Sequence, residues 1–280
     1  MTTTYTSPLP AAIDELWERR SELTPADTDA RATIVRAVDD LDSGKARVAF
    51  VDTEATGAPV VVDERAKRSI LLSFRVLEMQ ESSMGDAYIH DRIPLKQRFD
   101  GVRVVPGAIA RWGSYLAPGV VLMPSFTNFG AYVGAGTMID TWATVGSCAQ
   151  VGESVHVSGG VGIGGVLEPP QASPVIIENE AFLGSRSMVV EGARVRRGAK
   201  LGAGTILTSS TRVFDAETGA ELAQGEAPEW SVCVTANRVK SFPGGDFGMP
   251  CLLVLKRLEE GAEHDKLALN EMLREHGVNA

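Results

Sequence analysis

The sequence predicts a mainly β chain. A triangular parallel coil forms its body, with a small α/β segment in front and a short strand–helix segment behind. Three observations carry this reading. Glycine is frequent, at 29 residues, and it is concentrated between about 101 and 204. Within that stretch an aliphatic or β-branched residue returns at every sixth place: Ile109, Tyr115, Val121, Thr127, Val133, Ile139, Val145, Val151, Val157 and Ile163. Four places further on in each hexad the residue is small at first (Gly113, Gly119, Ser125, Ala131, Thr137, Ala143, Ala149), then larger (Val155, Val161, Leu167).

A period of six matches neither an α-helix nor a flat strand. It matches a coil in which each hexad supplies one short strand and one corner, and three hexads close a turn. Successive turns then stack as parallel strands roughly 4.8 Å apart. The aliphatic residue points into a narrow prism, and its partner is small because the prism has no room for two large side chains. The register breaks at Glu168-Pro-Pro-Gln-Ala-Ser-Pro174 and resumes two residues out of phase. It then runs Ile177, Leu183, Val189, Val195, Leu201, Leu207 and Val213, with Ala181, Ser187, Ala193, Ala199, Thr205 and Thr211 as small partners.

Ahead of the coil, Ser7-Pro8 reads as a helix start followed by Ile13, Leu16 and Trp17 at helical spacing. Thr24-Pro25-Ala26-Asp27 is a second start, with Ile34, Val38 and Leu41 as its stripe and Gly44 as its stop. Segments 47–51, 59–62 and 70–76 read as short strands. After the coil, 215–227 reads as a polar hairpin or loop, 229–238 as a last partial coil, and Leu252–Leu255 as a strand. A final helix is expected from about Asp265 to His276. The expected division is therefore an α/β cap over 1–100, the coil over 101–238, and a strand and helix over 239–280.

Composition narrows the function. A net charge of −9, from 27 basic and 36 acidic residues, argues against nucleic acid or an anionic membrane as main partner. A local basic cluster could still hold a polyanionic cosubstrate. Cys148, Cys233 and Cys251 form no CxxC pair, so neither a disulfide framework nor a zinc cage is indicated. The N-terminus lacks a basic-then-apolar leader, and no apolar run approaches a membrane span of roughly 20 residues. A cytoplasmic location is expected.

A filled prism has no internal pocket, so any site lies on an outer edge. Asp140, directly after the inward Ile139, faces outward; it is a site residue or a corner Asp bonding its own turn. Arg103, at the mouth of the coil, suits a carboxylate, although surface arginines are common. His156 is a candidate general base or a solvated corner residue. Arg194, Arg196, Arg197 and Lys200, with Arg186, Arg212 and Lys240 nearby, could neutralise phosphates or simply form a solvated face. Gly159-Gly160 and Gly162-Ile-Gly-Gly165 have no following helix, which rejects a dinucleotide loop. Their bare backbone could instead let a thioester cosubstrate approach and offer N–H donors to an oxyanion. Cys148 is a conceivable nucleophile, but direct transfer from a thioester needs none, and a packed thiol is the simpler reading.

The hexads resemble the left-handed parallel β-helix of hexapeptide-repeat proteins. The left hand is what that resemblance implies, since crossover connections ordinarily favour the right hand. Such proteins are mostly CoA-dependent acyltransferases; the carbonic anhydrase minority needs three His ligands, and only His156 lies in these coils. More specifically, GVRVVPGA (101–108), VLMPSFTNFGAYVGAGTMIDTWATVGSCAQVG (121–152) and VHVSGGVGIGGVLEP (155–169) resemble the tetrahydrodipicolinate N-succinyltransferase family. ERRSELTP (18–25), LDSGKARVA (41–49) and ILLSFR (70–75) extend the likeness over most of the chain.

The resemblance implies that succinyl-CoA, tetrahydrodipicolinate and water give N-succinyl-2-amino-6-oxopimelate and CoA, in lysine biosynthesis. It implies a homotrimer with sites between coils, no prosthetic group and no metal. By motif, Arg103 would bind a substrate carboxylate, and Asp140 would hold the amine and help deprotonate it. Gly159, Gly160, Arg186 and Lys240 are the residues expected to bind the CoA cosubstrate. One departure stands out: Met188 occupies a place where relatives carry Glu, so that carboxylate is dispensable or Glu191 or another group substitutes. The rival readings are N-acetyl transfer to the same or another small amine, and a non-catalytic β-helix scaffold.

Overall fold

A computed structural model describes residues 5–262 and 273–274. Its body is a parallel β-helix of three sheets, named here by their first outward residues: the Arg103, Ile109 and Tyr115 faces. Rungs are two residues long, one pointing out and one in. On the Arg103 face, Met138–Ile139 lies below His156–Val157, Phe182–Leu183 and Lys200–Leu201 in turn. The inward residues Ile139, Val157, Leu183 and Leu201 are completely buried. Ala143, Ala149, Ala181 and Ala199 fill the corners between the rungs, as small partners should.

The lower coil departs from the expected phase. Inward residues there are Ala110, Leu116 and Leu122, while Ile109, Tyr115 and Val121 face outward. Tyr132 pairs with Tyr115 below and with Gln150 above, so the lower turn is one residue shorter. The short hexad lies at Met123–Phe126, where Pro124 turns the corner. Both series looked acceptable in sequence because the residues beside Leu116 and Leu122 are themselves apolar. Most corners carry a residue in the left-handed backbone region. Gly136, Gly160 and Gly204 adopt it freely, but Trp142 (φ 62), Cys148 (φ 66), Ser154 (φ 53) and Arg186 (φ 58) adopt it with side chains. Gly146 is required for another reason: a Cβ there would lie 2.3 Å from the backbone nitrogen of Gly165 on the next turn.

The N-terminal lobe has three helices, α1 (Ala12–Glu18), α2 (Thr28–Asp42) and α3 (Glu64–Val76). Residues 70–76, expected as a strand, belong to α3. The run Ile70-Leu-Leu-Ser-Phe looked extended in isolation, but Ala66, Ile70, Ser73 and Val76 form one buried helical stripe. Asp63 caps α3 through the Ala66 N–H, and its other oxygen accepts from Tyr5 and Ser7. Ser7 therefore tethers the chain start to α3 and does not cap α1. Strands Ala49–Val51 and Val60–Val62 form an antiparallel pair, and Gln80–Met84 with Ala87–Asp91 form a hairpin the sequence did not announce. The lobe shares its core with the coil: Phe129 and Cys148 lie buried among Ile34, Val38 and Ile70, and Trp112 stacks on Phe129 at 6.0 Å.

Lys67 of α3 is fully buried, and its ammonium donates to the carbonyls of Pro169 (3.1 Å) and Ala172 (2.8 Å). It thereby holds the loop that interrupts the hexads. Burial pulls the Lys67 pKa below its ordinary value, with Cys148 acting in the opposite sense.

At the far end, Val213–Asp215 pairs antiparallel with Glu221–Leu222, so the hairpin expected over 215–227 spans 213–222, and Glu226–Ala227 is a coil rung on Arg194–Val195. Val232–Cys233 completes a coil rung on Lys200–Leu201, but the strand then runs on. Ser231–Phe242 pairs antiparallel with Gly245–Arg257, giving a long hairpin whose outer half is exposed. The expected boundary at 238 thus falls inside a strand. The expected helix from Asp265 to His276 lies outside the described residues except Leu273 and Arg274, which are helical.

Buried Thr137 donates to the Gly152 carbonyl (2.8 Å) and accepts from the Val155 N–H (3.0 Å), joining adjacent turns. Thr137→Val should cost about 1–3 kcal/mol in denaturant unfolding, because an amide and a carbonyl lose their partner. Burial pushes the Cys148 thiol up to about 12, so it should resist iodoacetamide at neutral pH in mass-spectrometric labelling and react only after unfolding. The raised value favours the folded protein below the unfolded thiol pKa, and this contribution should disappear as pH rises from about 9 towards 12.

Candidate active site

The corner between the Arg103 and Ile109 faces gathers most of the candidates. Asp140 follows the inward Ile139 and is half-buried there. One carboxylate oxygen, Oδ1, accepts from the Thr141 N–H (2.6 Å) and the Thr141 hydroxyl (3.2 Å). The other, Oδ2, has no hydrogen-bond partner among the described residues. The bond to its own turn that a bland reading anticipated is therefore present, yet it fixes the group and leaves one oxygen to act. Thr141 was not picked out from sequence; its place directly after an outward Asp was the available signal.

Directly above, Gly160 donates its N–H to the Thr141 carbonyl (2.9 Å), and Arg186 donates its own to Gly159 (3.0 Å). Gly159, Gly160 and Arg186 are thus stacked on the Asp140 edge. A Cβ at Gly160 would come within 3.1 Å of the Arg186 side chain, so the bare backbone lets that side chain lie close. The Gly160 N–H belongs to the corner ladder, whereas the Gly159 N–H has no acceptor among the described residues. Arg103 is exposed on the Arg103 face, two rungs below the level of Met138. At the spacing of stacked strands, that is roughly 10 Å from the Asp140 level along the coil.

Other candidates fall elsewhere. Lys240 stands on the projecting hairpin with its ammonium 5.2 Å from the Phe242 ring, and among the described residues no hydrogen bond or ion pair joins it to the edge. His156 lies on a rung, not at a corner, half-buried with its ring stacked on Phe182 at 5.2 Å. The cationic run is taken up by carboxylates: Arg194 by Glu178, Arg196 by Glu226, Arg197 by Glu180 and Arg212 by Glu221. Arg194 and Lys200 are buried, so this run is not an open phosphate-binding face. Its partners lie on neighbouring turns or, for Arg212, on the opposite strand of a hairpin, which is why the run looked uncompensated.

Met188 faces outward on the Ile109 face at 46% exposure, between Gly162 and Ile206. Glu191 lies past the end of that strand, at the next corner, away from the outward place that Met188 holds. Trp142 is 76% exposed beside Asp140, in a corner place that Gly160 and Gly204 fill on other turns. Trp142, Met188 and the half-exposed Ile206 give this edge an apolar border. Among the described residues no group of three or more His, Cys, Asp and Glu could hold a metal ion.

Comparison with known proteins fits this architecture. Residues 8–76 match the model of the tetrahydrodipicolinate N-succinyltransferase N-terminal region, and 174–209 match the hexapeptide repeat of succinyl-transferase. A 2,3,4,5-tetrahydropyridine-2,6-dicarboxylate N-succinyltransferase of Dechloromonas aromatica is 44% identical, covering 96% of this chain and 99% of its own. The protein of that name from Paramagnetospirillum magneticum is 45% identical, over 95% and 98%. A Campylobacter jejuni crystal structure, named for 2,3,4,5-tetrahydropyridine-2-carboxylate N-succinyltransferase, superposes with a TM-score of 0.50 at 19% identity. That match covers 80% of this chain and 62% of the other, and it speaks for the fold alone. The coil is accordingly a left-handed parallel β-helix. Identity of this extent, spanning lobe, coil and terminal hairpin together, places the chain in the tetrahydrodipicolinate N-succinyltransferase family.

Proposed function

We propose that the protein transfers the succinyl group of succinyl-CoA to the amino group of ring-opened tetrahydrodipicolinate, 2-amino-6-oxopimelate. The products are N-succinyl-2-amino-6-oxopimelate and CoA, in the succinylase branch of diaminopimelate and lysine biosynthesis. The observation that carries the reading onto this geometry is Asp140, a carboxylate fixed by Thr141 through one oxygen and open at the other, beneath bare glycine backbone.

Water first adds to the ring imine of tetrahydrodipicolinate and opens it, exposing a primary amine. Arg103 binds a carboxylate of this acceptor, and Asp140 Oδ2 accepts a hydrogen bond from the amine, aiming its lone pair at the thioester carbonyl. Attack forms the C–N bond, and negative charge moves to the carbonyl oxygen, where the Gly159 N–H is a suitable donor. Collapse breaks the C–S bond; CoA leaves as the thiolate, and the amine proton passes to Asp140 or to that leaving sulfur. No protein nucleophile is needed, and the missing Glu at Met188 interrupts no step in this scheme. Gly159, Gly160, Arg186 and Lys240 are the proposed contacts of CoA.

The complete site is proposed to form between subunits of a homotrimer. Lys240 stands away from the edge within one chain, and Trp142, Met188 and Ile206 offer apolar surface for a neighbouring copy. The 1–100 segment is proposed as a cap domain fixed to its own coil. No described helix is long and apolar enough to cross a membrane, and the acceptor and cosubstrate are water-soluble, so we place the enzyme in the cytoplasm.

Asp140→Asn should lower kcat by about 10²- to 10⁴-fold while leaving the oligomer and its circular dichroism intact. Wild-type turnover in that variant would refute the role given to Asp140. Arg103→Ala removes a charge-assisted hydrogen bond of about 1.5–3 kcal/mol, which should reduce kcat/KM by roughly ten- to a hundredfold. Release of CoA should be faster with succinyl-CoA than with acetyl-CoA; the reverse order would move the enzyme to N-acetyl transfer.

A further inference from the structure

A cleft of about 320 Å³ lies on the far side of the coil, between the N-terminal lobe and the Tyr115 face. The mechanism above makes no use of it. At its base the Arg47 guanidinium lies 3.6 Å over the Tyr132 ring and donates through Nε to the Gln150 side-chain carbonyl at 3.1 Å. Gln150 is itself held, because its amide nitrogen donates to the Cys148 carbonyl at 2.9 Å. Arg47 is therefore fixed by one neutral partner and one aromatic face. Among the described residues no carboxylate lies within 4.0 Å of it. Burial works against its charge, and Tyr132 and Glu153 work in its favour.

The other charges bordering the cleft are mostly committed. Glu178 is bound to Arg194, and Arg197 to Glu180. Glu153, on the coil lip of the cleft, has no ion-pair partner among the described residues. What remains is one fixed cation and one carboxylate that senses it, with apolar wall from Phe50 and Ile176 between lobe and coil. A planar guanidinium with its outer N–H groups uncommitted is preorganised for a carboxylate. A ligand of balanced charge satisfies both groups, whereas a simple anion would face Glu153 and a simple cation would face Arg47.

We infer that this cleft binds a small zwitterionic amino acid with an apolar side chain. Its carboxylate lies on Arg47, its ammonium towards Glu153, and its side chain against Phe50 and Ile176. Such a ligand touches lobe and coil together and so fastens one to the other. The inference does not rest on the succinyl-transfer reading, and its test is a binding measurement independent of turnover.

The test uses the full chain and three probes, L-norleucine, hexanoate and hexylamine, followed by calorimetry and saturation-transfer NMR. Norleucine should bind, and each single-charge probe should bind about tenfold more weakly or less, since losing one charged contact removes at least about 1.4 kcal/mol. Arg47→Gln should weaken norleucine by about tenfold or more. Glu153→Gln alters an exposed side chain, so the protein stays folded while its preference for norleucine over hexanoate disappears. The inference is overturned if norleucine fails to bind, if hexanoate matches it in the wild type, or if both variants leave its affinity unchanged. Norleucine binding lost in Asp140→Asn but kept in Arg47→Gln would place the probe at the other edge and overturn it equally.

Discussion

The interior of the coil admits one large side chain per rung and at most a valine at each corner, and the rest of the molecule is arranged around that narrowness. Because Ile139, Val157 and Leu183 stack on equivalent residues of adjacent turns, the backbone ladder has a single register in which the apolar column stays inside. The register in turn brings each corner over the one below. Close vertical packing explains why Gly146 cannot carry a Cβ, and why buried hydroxyls such as Thr137 bridge turns that apolar contacts alone would leave with unpaired backbone groups.

A coil with a filled interior must place its chemistry on its edges, and this one uses its edges differently. The Asp140 edge is bare and bordered by apolar side chains, with a carboxylate held at one oxygen. The Tyr115 face is covered by the N-terminal lobe, and its outward residues, Tyr132, Gln150 and Arg194, are absorbed into stacking, amide and ion-pair contacts. The lobe is more than an appendage, since Phe129 and Cys148 of the coil belong to its core and Lys67 holds the loop that breaks the repeat. The corner that carries Gly159 and Gly160 is followed directly by the strand Gly162–Ile163, which leads into that loop.

Charge placement follows the same division. Arg194, Arg196, Arg197 and Arg212 each meet a carboxylate supplied by a different turn or hairpin strand, so a run that is dense in sequence is neutralised in space. Exposed pairs of this kind add little to stability, whereas the buried Arg194–Glu178 pair is required once Arg194 is covered, since either charge alone would be costly there. Arg103 and Asp140 on one side, and Arg47 and Glu153 on the other, have no ion-pair partner among the described residues and so keep charge to offer a ligand.

The sequence by itself determined the coil, its period, the interruption at 168–174 and the outward direction of Asp140, because a repeating steric demand leaves a repeating residue pattern. Its family likeness also pointed to the reaction. It did not determine the phase of the lowest turns, where neighbouring apolar residues fit either register until Pro124 shortens one hexad. Nor did it reveal α3, whose apolar run satisfies a strand or a helix until Phe129 and Cys148 supply the surface it packs on. Only the tertiary structure decided that Thr141 fixes Asp140, that the arginine run is compensated, that Lys240 belongs to a projecting hairpin, and that Arg47 lies over Tyr132. The Asp140–Thr141 contact and the Lys240 hairpin are local, but the arginine partners on the coil and the Arg47–Tyr132 contact join residues far apart in the chain, and a partner across that distance is set by the stacking of the coil, which local sequence does not encode.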